Sequence, residues 1–120
     1  MDMVKSGLCV LVLTGALAAS PAVAQVASFD CPKARTDTEW AICNTPQLGA
    51  LDVRMAANYA LLEAIAPAGS SLSESLKSSQ GAWIDGTRNP CGGAVACLAT
   101  AYRNRIEALT TLAQSSLTVK

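Results

Sequence analysis

Five cysteines and no histidine set the chemical limits of this 120-residue chain. The cysteines are Cys9, Cys31, Cys43, Cys91 and Cys97, and thiols can serve as nucleophiles, metal ligands or disulfide partners. Without histidine, the commonest general base is missing, and so are the usual serine and cysteine triads. Zinc sites typically use cysteines about two to four residues apart. Here Cys31 and Cys43 are twelve apart and Cys91 and Cys97 six, which favours disulfides and leaves zinc as the alternative. Paired carboxylates could still work as they do in glycosidases. The acids, however, are spread singly, and each reads as a helix cap or a solvated face. No glycine loop that could cradle a phosphate follows a strand. The expectation is a protein that is not an enzyme, with no cofactor and no catalytic metal.

The compartment follows from the N-terminus. Lys5 precedes an apolar run from Leu8 to Leu13 that continues to Leu17 and closes on Ala22, Val23 and Ala24. That is the layout of a cleavable secretory signal, with cleavage expected before Gln25. A membrane helix needs about 20 apolar residues, and this run is shorter and ends at Ser20 and Pro21. Cys9 lies near the start of the run, where it is not placed for lipidation, so no membrane anchor is expected after cleavage. Removing residues 1–24 also removes Cys9 and leaves an even set. An even cysteine count in a short exported chain reads as a disulfide framework in an oxidising compartment, periplasmic or secreted.

The remaining chain, residues 25–120, is neutral, as the whole chain is. No basic cluster exceeds Arg103 with Arg105. Nucleic-acid binding needs a basic face to displace phosphate counterions, so no nucleic-acid partner is expected.

Four helical segments must carry these residues. Thr36 and Glu39 have the spacing of a capping box, opening a short helix over Asp37 to Cys43. Thr45 as N-cap and Pro46 at the first helical position open a second helix to about Ala66. Its residues Leu48, Leu51, Met55, Tyr59, Leu62 and Ile65 form one apolar stripe. A third helix starts where Ser71 and Glu74 repeat the capping-box spacing; Leu72, Leu76 and Trp83 share a face, and it frays near Gly86. Thr87 to Gly93 reads as a tight polar connection. The last helix spans Ala94 to Ser115, with Val95, Leu98, Tyr102, Ile106 and Leu109 inward. The fold expected is all-α: a small disulfide-stapled antiparallel bundle of three main helices plus one short N-terminal helix.

Four cysteines allow three pairings, and entropy differences between them are too small to decide. Reach favours Cys31 with Cys43, tying back the N-terminal arm, and Cys91 with Cys97, closing a loop onto the following helix. Trp83, Tyr59 and Tyr102 fall on apolar stripes and read as core. Asp52 and Arg105 flank stripe positions and could meet as an ion pair between helices. Arg88 is the basic side chain of the connection from Asp85 to Gly93, and its guanidinium could contact a partner's carboxylate at two points. It could equally cover a helix end.

Beyond fold class, the residues carry a resemblance. Phe29, Asp30, Cys31, Pro32, Lys33, Ala34, then Glu39, Ile42, Cys43, then Leu48, Leu51, Asp52 and Tyr59 resemble the first half of the LprI-type lysozyme inhibitor N-terminal domain. Gln80, Trp83, Arg88, Cys91, Cys97, Leu98, Tyr102, Arg105, Ile106 and Leu109 are similar to its closing pattern. The chain departs from that pattern between Trp83 and Cys91. The resemblance implies that residues 25–120 form an exported helical domain that binds and inhibits lysozyme or another peptidoglycan hydrolase, and it supplies no catalytic residue. The alternative is an accessory or immunity-type envelope protein that binds another exported protein. Lysozymes are often strongly basic, and a neutral chain lacks the acidic field that would steer such an encounter.

Overall fold

The computed structural model describes residues 15 and 26–118, so the expected leader, Cys9 included, lies outside the described residues except for Gly15. Among the described residues, four α-helices carry the fold: α1 (Asp37–Asn44), α2 (Pro46–Ile65), α3 (Ser71–Trp83) and α4 (Val95–Thr118).

The helix starts show why these segments fold locally. At α1 the capping box is complete: Thr36 Oγ1 accepts from the Glu39 amide at 3.1 Å, and Glu39 Oε2 accepts from the Thr36 amide at 3.2 Å. The same carboxylate accepts from the Arg35 amide at 2.6 Å. The bond from Arg35, then that from Thr36, holds the Glu39 pKa below its usual value. The cap's support is therefore present above the ordinary glutamate range and is lost as pH falls through the lowered value. At α2, Pro46 takes the first turn as expected, but the Thr45 side chain makes no cap bond. At α3 the cap lies one residue earlier than the Ser71–Glu74 spacing suggests. Ser70 Oγ accepts from the Ser73 amide at 3.2 Å, because Gly69, at φ 73°, delivers the chain to Ser70 in an extended conformation.

The connection from α3 to α4 differs most from expectation. The chain does not leave helical conformation near Gly86. It widens into a π-helical turn (Ile84–Arg88) and tightens into a 3-10 turn (Asn89–Cys91). Half-buried Ile84 keeps this extension packed on the core, and Pro90 stands near the start of the 3-10 turn, where its missing donor costs little. The helical path ends at Gly92, whose φ of 58° suits glycine. α4 then begins at Val95, and Val95 is 44% exposed rather than part of the buried stripe. Ile65, at the end of α2, is likewise exposed.

The directions of the helices follow from their contacts. Asp52 faces Tyr102 and, further along both helices, Asn58 Nδ2 donates to Thr110 Oγ1 at 3.3 Å. The two long helices α2 and α4 are thus parallel. α3 runs back between their ends, antiparallel to each, and meets α2 at Met55 and Gln80 and α4 at Trp83 and Ala101. The core is Ile42, Met55, Leu62, Leu76, Trp83, Tyr102, Ile106 and Leu109. Trp83 anchors it, with Nε1 donating to the Ala101 carbonyl at 3.3 Å and its ring edge-on to Tyr102 at a centroid distance of 5.2 Å.

The N-terminal arm lies across the first turns of α2. Ala27 is buried, and a Cβ added at Gly49 would run into the Val26 carbonyl. Gly49→Ala is therefore expected to lift the arm and cost about 1–3 kcal/mol, as overpacking does. Gly81→Ala, whose added methyl meets open space in α3, should stabilise by up to about 1 kcal/mol. Thermal unfolding of the two variants checks this, and equal behaviour would exclude the close approach at Gly49.

Candidate functional site

One end of the bundle gathers the residues singled out by chemistry. The structure pairs Cys31 with Cys43 at a Cα separation of 5.9 Å and Cys91 with Cys97 at 5.6 Å. The first bridge ties the arm to α1, and the second ties the 3-10 turn to the first turn of α4. α1 then locks onto that turn, because buried Thr38 donates through Oγ1 to the Gly92 carbonyl at 2.9 Å. Arm, α1, the π and 3-10 turns and the start of α4 thus form one cross-braced unit. Two disulfides imply an oxidising compartment outside the cytoplasm. Among the described residues, no helix is long and apolar enough to cross a membrane.

Beneath this end lies a buried polar cluster. Asp52 is fully buried (0% exposed). Its Oδ1 accepts from the Tyr102 hydroxyl at 2.7 Å and its Oδ2 from the Ser28 amide at 2.6 Å. The cluster links α2, α4 and the arm. Burial, followed by the Asp52 charge and hydrogen bond, pushes the Tyr102 pKa well above the ordinary tyrosine range, and the nearby Arg88 guanidinium pulls the other way. Both carboxylate oxygens of Asp52 are occupied by the fold's own donors, which gives Asp52 a structural role.

Arg88 sits at the end of the π turn, half-buried, with Nε donating to Asn89 Oδ1 at 3.1 Å. Its charge is felt both at Tyr102, beneath it, and at Glu39 on α1. The π turn thus places Arg88 between the exposed cap of α1 and the buried Asp52–Tyr102 pair. Sequence reasoning located the residue but not this setting.

Asp52 and Arg105 do not form the ion pair the sequence suggested. Arg105 turns to α3, where Nε donates to Gln80 Oε1 at 2.9 Å and Nη2 to Ser79 Oγ at 3.2 Å. Gln80 in turn donates through Nε2 to Met55 Sδ at 3.2 Å. The signal for Asp52 was present in the sequence. Leu48, Asp52, Met55, Tyr59 and Leu62 step by four and three, which places the aspartate on the buried line and Leu51 beside it.

On the outer side of the long pair, a shallow groove of about 390 Å³ runs between α2 and α4, with Leu51 and Ile106 along it and Arg54 and Arg103 at its walls. Glu107 is the acid that lines it, so no carboxylate pair converges there. Among the described residues, no group of three or more His, Cys, Asp or Glu side chains could hold a metal ion. Arg54 and Arg103 are the basic side chains of that groove. Searches of protein-family models, of curated proteins and of solved structures find no match to the chain.

Proposed function

We propose that this chain is an exported, non-catalytic binding protein that occludes a peptidoglycan hydrolase of the lysozyme type. The observation that carries the reading is the cross-braced end: two local disulfides and the Thr38–Gly92 hydrogen bond brace the turn bearing Arg88. A surface that is rigid before association loses little conformational freedom on binding. The resemblance of the cysteine framework and its intervening residues to lysozyme inhibitors supplies the class of partner. The absence of histidine from the sequence supports a binding role over a hydrolytic one.

Arg88 is the proposed anchor, with a carboxylate of the hydrolase cleft as its counterpart. Near-stoichiometric mixing of the exported protein with a panel of lysozymes and other peptidoglycan hydrolases tests the reading. Inhibition of at least one is expected, and no inhibition across the panel would refute it. Arg88→Ala should weaken inhibition about tenfold or more, with helical content and melting temperature little changed. Unchanged inhibition with an intact fold would remove Arg88 as the anchor.

A further inference from the structure

Arg105 occupies an inward place that the fold would ordinarily give to an apolar side chain. Leu98, Tyr102, Arg105 and Leu109 step by four, three and four along α4, so the guanidinium stands in line with three buried residues. Its setting is half-buried between α3 and the middle of α2. Gln80 Oε1 at 2.9 Å and Ser79 Oγ at 3.2 Å fix the plane of the fork, and both are neutral acceptors. Among the described residues, no carboxylate comes within 4.0 Å of it, the sole ion pair being the exposed Lys33–Asp30 contact. Burial lowers the Arg105 pKa, the mark of a charge that has lost water without gaining an opposite charge. A guanidinium has five donors, and two of them are used here. Tyr59 of α2 lies near enough to feel the Arg105 charge, and its phenol is raised first by burial and then by Glu63.

We propose that Arg105 is the centre of a carboxylate-binding site on the face shared by α2, α3 and α4, and that its ligand is an aspartate or glutamate side chain of a partner protein. With Nε on Gln80 and one Nη2 donor on Ser79, the fork keeps its Nη1 donors and the second Nη2 donor, which can meet a carboxylate at two points in a plane already set. Glu63 beside Tyr59 repels a doubly charged anion, so a monoanionic carboxylate is preferred to phosphate. Arginine and tyrosine, here side by side, are also residue types enriched among the hot spots of protein interfaces. The site is separate from Arg88, and it stands whether or not the partner is a peptidoglycan hydrolase.

The side-chain Nε–H resonance of Arg105 in the exported protein, labelled with nitrogen-15, provides the test. The probes are a blocked Gly-Glu-Gly peptide, its Gly-Gln-Gly counterpart, sodium acetate and sodium phosphate, at constant ionic strength. The glutamate peptide should move the Arg105 resonance saturably and about threefold or more beyond those of exposed Arg54 and Arg103, while the glutamine peptide leaves it in place. Gln80→Leu, which releases the fork, should cut that response by at least about half with helical content retained. A response at Arg105 no larger than at Arg103, or equal responses to the two peptides, would overturn the site. A larger response to phosphate would overturn the carboxylate assignment, and saturation by acetate well below the peptide's range would overturn the partner side chain as ligand. Failure of hydrolase inhibition, measured separately, bears only on the function proposed above.

Discussion

Asp52→Ala is expected to destabilise the domain by about 3–4 kcal/mol, since two charge-assisted hydrogen bonds disappear and the Tyr102 hydroxyl is left buried without its partner. That is a large share of the roughly 5–15 kcal/mol that holds a small domain together. For a chain of this size it corresponds to a fall in melting temperature of about 15–25 °C. The reason is geometric: one carboxylate takes the Tyr102 hydroxyl from α4 and the Ser28 amide from the arm, so its loss loosens three segments together. Tyr102→Phe removes a single donor and should cost less, and the double variant should fall short of the sum of the two. Melting of Asp52→Ala within a few degrees of the parent would show that the pair does not hold the bundle.

The same cluster is expected to weaken the fold at alkaline pH. The Tyr102 pKa is raised in the folded state, chiefly by burial, so its contribution is intact below the ordinary tyrosine pKa of about 10 and declines as pH rises above it. Tyr102→Phe should flatten that alkaline decline.

Removing both disulfides is the second large effect. Each closes a short loop, and the chain-entropy estimate is roughly 2–3 kcal/mol per bridge. Together they approach the whole stability of a domain of this size, so the doubly reduced protein is expected to be largely unfolded at 37 °C. The two are not equivalent in what they hold. Replacing Cys91 and Cys97 by serine should leave the α2–α4 core in place while amide exchange rises over residues 84–92, the turn that carries Arg88. Replacing Cys31 and Cys43 should instead free the arm and expose Ala27. Unchanged melting and exchange under reducing conditions would exclude the bridges as staples.

Much of the architecture is local in origin and can be read from spacing. The Thr36–Glu39 capping box, Pro46 opening α2, and Pro67 after its end bound helices within a residue or two of where they stand. These signals work because each bond they make closes within three or four residues. The local pairing of Cys31 with Cys43 and of Cys91 with Cys97 is legible for the same reason. The misplacement of the α3 cap by one residue shows the limit of such reading. Ser70 and Ser71 are chemically identical, and the backbone at Gly69 decides which of them caps.

The path after Trp83 was not legible. Gly86, Asn89, Pro90, Gly92 and Gly93 carry the composition of a loop, yet the chain stays helical to Cys91 because Ile84 remains packed on the core and the second bridge holds the turn to α4. The candidate site was legible only as a list. Arg88, Asp52 and Arg105 could each be named, but which faces which depends on contacts between residues some twenty-five to fifty apart.

By itself, then, the sequence determined an all-helical chain, its helix starts, its apolar stripes and a cysteine framework suited to an oxidising compartment, all consequences of short-range bonding and periodicity. Tertiary structure alone decided that Asp52 is satisfied by Tyr102 and the arm, and that Arg105 turns to neutral partners on α3. The physical reason is that a charge placed on an inward line must find its hydrogen bonds among whatever neighbouring helices present at that depth. α4 presents a hydroxyl to Asp52, and α3 presents an amide and a hydroxyl to Arg105.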